Sequence, residues 1–307
     1  MSEIFYKDRE SNEVKKEKIF PKFFLQALCR KGLFSRCFFL LILPLIATIP
    51  FFSKLYGEKQ KSSKSRKKIL PFIKKYNIDM SECTTPIDTF QSFNDFFIRK
   101  LKPHSRPIAK EEDIAIIPAD GRYLVYSDVS KIDAFYVKNN KFNLYQLVQD
   151  QHLFHLYKQG SMVIARLALS DYHRFHFPCD CYPSQSKPIN GTLYSVNPIV
   201  LKRYPNILTN NKRIHTQLQT QRFKNILFIE VGATFVGSIK QTFTPHILHK
   251  KGEEKGYFEF GGSSIILLFQ PNSIIFEQDL IDTSAQNLET KAKFGTPMGT
   301  APPLSSS

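Results

Sequence analysis

The chain has 307 residues, 42% of them apolar, and a formal net charge of +16. That length and apolar content exclude a disordered chain or a disulfide-stapled miniprotein and allow one large domain with appendages. The charge points to an anionic partner, either nucleic acid or a membrane surface. The five cysteines, Cys29, Cys37, Cys83, Cys179 and Cys181, form no disulfide-like framework and suit a reducing compartment.

Residues 1–18 are polar and are expected to be poorly ordered. Residues 19–53 and 64–77 read as helical. Within the first lies "CFFLLILPLIATIPFF", Cys37 to Phe52, which carries no charge in sixteen residues. As a helix it would reach only about 24 Å, against a hydrocarbon core of about 30 Å. Pro44 and Pro50 interrupt it. It starts too late for a signal peptide and no small-residue cleavage site follows. Between Lys54 and Lys75 come nine Lys or Arg and one acid, Glu58. A greasy segment beside a basic run predicts shallow insertion into an anionic membrane surface. A buried core helix and a solvated linker are the plain alternatives. Nucleic-acid binding is not expected, since no aromatics interleave the basic run and no such module appears.

Ser92–Leu101, "SFNDFFIRKL", reads as a short capped helix. Beyond "HSRPI" strands are predicted at Ala115–Ile117, Tyr123–Tyr126, Met162–Leu169, Gly191–Val196, Ile226–Val231, Phe235–Ile239, Tyr257–Phe260 and Ser264–Phe269, with "NLYQLVQD" a helix. The expected class is α+β, a β-rich catalytic domain behind a helical, membrane-associating N-terminal region. Expected boundaries are 1–18 for a polar tail, 19–109 for the helical region and its basic linker, 110–295 for the catalytic domain and 296–307 for a C-terminal tail.

Four small residues interrupt the apolar run "YFEFGGSSIILLF", Tyr257 to Phe269. Glycine there marks a turn, a bulge or a close backbone approach. It also leaves its carbonyl open to attack by a following serine, given a base and an orienting acid. Asp120 in "PADGRY" and the pair His173 and His176 in "LSDYHRFHFP" are the candidates. Two histidines three apart share a side in a helix and oppose one another in a strand. Pro178 suggests an irregular loop in which both converge. The second such pair, His152 and His155, falls in a helix and reads as packing or solvent-facing. Cys179 and Cys181 beside His176 lack zinc-ligand spacing, so no metal is expected. No phosphate loop or dinucleotide fingerprint occurs.

The ordered set "SFNDFFIRKLKPHSRPI", "PADG", "ARLALSDYHRFHFP", "VGATFVGSI" and "KGYFEFGGSS" resembles the phosphatidylserine decarboxylase family over about residues 60–295. The resemblance implies a proenzyme that cuts itself between Gly262 and Ser263 into a beta chain, 1–262, and an alpha chain, 263–307, which stay associated. Ser263 would become a covalent pyruvoyl cofactor, with Asp120, His176 and Ser263 the self-cleavage triad and His173 serving decarboxylation. Phosphatidylserine in the membrane would bind it as a Schiff base, lose carbon dioxide and leave as phosphatidylethanolamine. The resemblance further implies dimerisation and a peripheral or monotopic place on the cytoplasmic face of the cell membrane. Ser264 stands where the family usually has Thr, and Thr296 where it commonly has an acid. Two other readings of the same residues are a serine hydrolase, which would want a nucleophile elbow, and a non-catalytic membrane-binding protein.

Overall fold

The computed structural model describes residues 3–17, 57–134, 143–194, 196, 206–233, 239–261 and 263–303. The apolar segment Cys37–Phe52, Gly262 and residues 234–238 of the "VGATFVGSI" motif lie outside that set. The fold is α+β and β-rich, and no described helix is long and apolar enough to cross a membrane.

The strands, in chain order, are β1 (Phe5–Asp8), β2 (Val14–Lys16), β3 (Ile114–Ile116), β4 (Gly121–Tyr126), β5 (Ser161–Leu167), β6 (Arg174–His176), β7 (Tyr182–Pro183), β8 (Lys187–Ile189), β9 (Arg213–Gln219), β10 (Asn225–Val231), β11 (Ile239–Gln241), β12 (Glu254–Phe258), β13 (Ser263–Phe269), β14 (Ile275–Phe276), β15 (Glu289–Ala292) and β16 (Pro297–Thr300). A large sheet runs β2-β1-β15-β4-β5-β13-β10-β9-β7, with β8 also on β9; two small sheets run β11-β12-β6 and β14-β16-β3. Only β1 and β15 pair in parallel among these described ladders.

β5, "SMVIARL", and β13, "SSIILLF", are buried at every position. Strands covered on both faces read as continuous apolar runs, which is why both were legible. β13 lies between β5 and β10, with Ser263 opposite Leu167 and Ser264 opposite both Arg166 and Val231. Ser263 therefore starts a central strand whose next residue, Ser264, is held from both sides.

The helices are α1 (Ile69–Tyr76), α2 (Phe93–Phe97), α3 (Leu144–Val148), α4 (Gln151–Tyr157), α5 (Ile207–Asn210) and α6 (Gln278–Ala285). α2 is the expected capped helix: the Ser92 hydroxyl accepts from Asp95 N–H. Its Phe93 and Phe96 join Ile69 and Phe90 in a small apolar cluster, against which Phe260 packs. That cluster ties the helical region to the segment just before Ser263.

Three expectations need correction, and one strand was not foreseen. The polar N-terminal stretch is not loose: β1 and β2 extend the main sheet through β15. The C-terminal stretch from 296 contributes β16, which pairs β3 and β14. The described residues of Gly191–Val196 form no strand; among them only Thr192 bridges Asn211, whose side-chain amide takes Tyr194 N–H and gives to Tyr194 C=O in place of a ladder. β9, "RIHTQLQ", was missed because its buried positions include Arg213, His215 and Thr216, which carry no apolar signal.

Candidate active site

Ser263 is completely buried, and its Oγ lies 3.5 Å from Nδ1 of His173, itself completely buried. That distance is the outer limit of a hydrogen bond, and catalytic contacts commonly tighten only in the reacting complex. The tautomer follows from the other ring nitrogen. His173 Nε2 is 3.0 Å from the Ala168 carbonyl, which can only accept, so Nε2 carries the hydrogen. Nδ1 then presents its lone pair to the serine hydroxyl. Burial, with the Arg99 guanidinium nearby, pushes His173 down to about 3, so the ring is neutral at ordinary pH.

Helix α2 supplies the wall of this site. Phe97 stacks on His173 with ring centroids 3.9 Å apart and also meets Phe260 at 5.0 Å. Asn94 Oδ1 accepts Phe260 N–H at 2.9 Å, so one helix fixes both the histidine and the backbone approaching Ser263. Gly261 sits at φ +147°, a conformation open essentially to glycine alone.

His176 belongs to a different environment. Its Nδ1 donates to the Gly252 carbonyl at 3.0 Å, which leaves a lone pair on a buried Nε2 that has no hydrogen-bond partner. The ring stacks on Phe294 at 3.7 Å. Burial pushes it down to about 4, opposed by the Gly252 bond. Among the described residues no hydrogen bond joins His176 to Asp120 or to Ser263. Arg174–His176 is a strand and not the irregular loop expected, and His173 lies just before it.

Asp120 is engaged by Arg106, whose Nε and Nη2 reach it at 3.0 and 2.6 Å, and by Phe294 N–H at 2.8 Å. The carboxylate, with Glu82, raises Arg106 further against its burial. Asp120 thus holds the backbone of the residue whose ring covers His176. Arg106 sits in the "HSRPI" motif, so its presence was legible although its role was not. Phe97, Asn94 and Phe294 gave no chemical signal in the sequence.

Cys179 and Cys181 are buried free thiols pushed upward by burial. Among the described residues no group of three metal-ligating side chains converges. Ser263 opens a strand; it does not sit on a strand-to-helix turn, so the hydrolase reading lacks its elbow.

The fold is a β-rich α+β one that buries a serine–histidine pair at the head of β13. The sequence model for phosphatidylserine decarboxylase matches residues 93–300. The chain is 50% identical over 254 residues to a phosphatidylserine decarboxylase proenzyme of Chlamydia pneumoniae, covering 83% of this chain and 84% of the relative. It is 44% identical over 301 residues to that of Chlamydia trachomatis serovar L2, covering 97% of each. To that of Chlamydia caviae it is 49% identical over 255 residues, covering 83% and 85%. The chain belongs to the phosphatidylserine decarboxylase family and is a carboxy-lyase.

Proposed function

We propose that this chain is the precursor of an enzyme that decarboxylates phosphatidylserine to phosphatidylethanolamine, after cutting itself between Gly262 and Ser263 and converting Ser263 to a pyruvoyl group. The observation that carries the reading is the buried Ser263 hydroxyl facing the Nδ1 lone pair of His173.

The cleavage chemistry balances with the chain and one water. The Ser263 hydroxyl gives its proton to a histidine nitrogen and its oxygen attacks the Gly262 carbonyl carbon. The Gly262–Ser263 amide bond breaks to an ester, and the proton goes to the freed Ser263 amine. Removal of the Ser263 α-hydrogen expels Gly262 as a carboxylate and leaves dehydroalanine, which water hydrolyses to a pyruvoyl group and ammonia.

The residues present fit such a group. The site is buried, Ser264 beside it carries a buried hydroxyl with no hydrogen-bond partner, and His173 and His176 each keep a lone pair. When formed, the group supplies an electron sink for the pair left as carbon dioxide departs. His173, beside the atoms of Ser263, moves protons there during decarboxylation, and Phe97 shields it from water. His176, with Asp120 holding Phe294 against it, completes the self-cleavage set with Ser263. A second reading gives the serine proton to His173 as well, and the 3.5 Å contact favours it.

The substrate keeps its acyl chains in a bilayer, so the protein works at a membrane surface, peripherally or monotopically on the cytoplasmic face. The apolar Cys37–Phe52 and the basic run after it supply the attachment. The two chains stay together, since β13 is hydrogen-bonded between β5 and β10; two such assemblies form a dimer.

Mass measurement of the purified protein under denaturing conditions tests the reading. Two pieces are expected, residues 1–262 and 263–307, the smaller with a blocked N-terminus; Ser263→Ala should remain whole. A single intact chain with full activity would overturn it.

A further inference from the structure

We infer that Glu17, at the end of the N-terminal strand pair, is a positioning residue for His173. The inference rests on the role of His173 proposed above. Glu17 is buried and takes two bonds from Arg166, at 3.1 and 2.7 Å. Its Oε1 also lies 3.2 Å from Arg122 Nε. Arg122 Nη1 donates to Asp171 Oδ2. The same Asp171 oxygen accepts Ala168 N–H at 2.7 Å, and Asp171 N–H returns to Ala168 C=O at 2.9 Å, closing a tight turn. It is the Ala168 carbonyl that receives His173 Nε2–H and so turns Nδ1 toward Ser263.

The three charged links, Glu17, Arg122 and Asp171, are all buried, and Ala168 is half-buried. A buried charge deprived of its partner is strongly destabilised, so the network holds as a unit and shifts as a unit. Burial opposes ionisation of Glu17, but Arg166 and Arg122 outweigh it and hold the carboxyl below its usual range. Arg122 is further fixed by the Tyr6 ring of β1, 5.1 Å away. Glu17 N–H bonds Ile4 C=O, so the strand pair itself delivers the carboxylate. The residue that follows begins the stretch leading to Cys37–Phe52. The orientation of the histidine beside Ser263 therefore depends on the segment that enters the membrane-facing region.

Glu289 provides a matched comparison. It also pairs with Arg166, at 2.6 Å, but unlike Glu17 it forms no ion pair with Arg122 among the described residues. If only the overall charge of the cluster mattered, losing either glutamate would have the same effect. If Glu17 acts through Arg122 and Asp171, only its loss should reach His173.

The test uses the full chain, with phosphatidylserine in mixed micelles, and measures the cut fraction, kcat and KM. Glu17→Gln should cut more slowly and lose ~10-fold or more in kcat with KM unchanged, the signature of a displaced catalytic group. Glu17→Asp should recover part of the loss, and Glu289→Gln should stay near wild type. Glu17→Gln at the wild-type rate, or Glu289→Gln falling equally far, would overturn the inference. Should Glu17→Gln fail to fold, Arg122→Lys decides: it keeps the charge but not both contacts, so a wild-type kcat would overturn the role and a lowered kcat supports it. A wild type that stays whole and inactive defeats the proposed function and this role with it. A wild type that cuts beside an equally fast Glu17→Gln defeats the positioning role alone.

Discussion

The two histidines of "HRFH" serve different partners: His173 Nδ1 faces Ser263 Oγ at 3.5 Å, whereas His176 Nδ1 is committed to the Gly252 carbonyl at 3.0 Å. Gly252, at φ +83°, presents that carbonyl in a backbone conformation that favours glycine. Two equivalent-looking side chains in the sequence thus hold two different tautomers.

The proposed roles of the two histidines make a mutational prediction that this asymmetry alone would reverse. His176→Ala and Asp120→Asn should leave the chain largely uncut, while His173→Ala should still cut in part but lose decarboxylation by 10²-fold or more, roughly the range for a general acid–base group. Asp120→Asn should also destabilise the fold by ~3 kcal/mol, because Arg106 stays buried without its main partner. Quantifying cleavage by mass and turnover by released carbon dioxide separates the two functions. The reverse pattern, His173→Ala uncut and His176→Ala cut normally, would establish the second reading and remove His176 from the cleavage set.

The sequence announced much of this site through its apolar runs and its punctuation. β5, β10 and β13 are largely apolar strands, broken by the single charges Arg166 in β5 and Glu230 in β10, and the Gly-Gly-Ser-Ser break stands at the head of β13. Asp120 before Gly121 at a strand edge was readable for the same reason. The relay through Glu17, Arg122 and Asp171 was not. Buried charges look like surface charges in a sequence, because only the fold reveals that Glu17 lies opposite two guanidinium groups. The division between His173 and His176 turns on their different carbonyl partners, Ala168 and Gly252, which no local pattern reveals.

Acid should destabilise the protein well before its carboxylates titrate. Burial holds His173, His176 and His215 down to about 3, 4 and 3. In the unfolded chain each takes a proton near its ordinary value of 6.5. Between those limits the unfolded state binds more protons, so stability is full above about 6.5 and falls as the pH drops toward the folded values. The expected slope is about 1.4 kcal/mol per pH unit for each histidine. Asp8 and Glu17, both held below their usual range, add to the loss only at lower pH. Urea unfolding at about pH 7.5, 6 and 5 reads the slope, and His215→Gln should flatten it by about a third. Equal stability at the two ends would contradict the neutral, buried state of these rings.

A second buried pair should behave oppositely to a simple salt bridge. Lys255 and Glu230 are completely buried and 2.5 Å apart, with the ammonium also on Thr216 and Gln241 and over the Phe228 and Phe243 rings. Burial pushes Glu230 up and Lys255 down, each opposed by its partner. Lys255→Met alone should cost about 3–5 kcal/mol, because a carboxylate is left without a cation. The double variant Lys255→Met with Glu230→Leu should regain most of that loss. Denaturation of the three proteins measures the coupling, and additive losses would show that the pair does not act as one unit.

The membrane contact should divide into a greasy part and a basic part, and the described half of the basic run refines which cations matter. Lys61 pairs with Glu259 at 3.1 Å, beside the segment that leads to Ser263, and with Glu58 at 3.5 Å. Lys68 donates to Gln60 at 2.9 Å. Those two are engaged within the fold, whereas Lys59, Lys64, Lys67 and Lys74 are exposed. A basic side chain near an anionic surface contributes on the order of 1 kcal/mol, and salt screens it within a Debye length. Changing those four to Gln should therefore weaken binding to anionic vesicles by 10²-fold or more, by the same rule, and remove most of its salt dependence. Binding to neutral vesicles should hardly change. Deleting residues 37–52 should release most of the protein from both kinds of vesicle. Cleavage at Gly262–Ser263 should persist in both variants, because α2, β5, β6 and β13 carry that site. Flotation at low and high salt reads all of these outcomes. Undiminished flotation of the deletion variant would place the membrane contact elsewhere on the molecule.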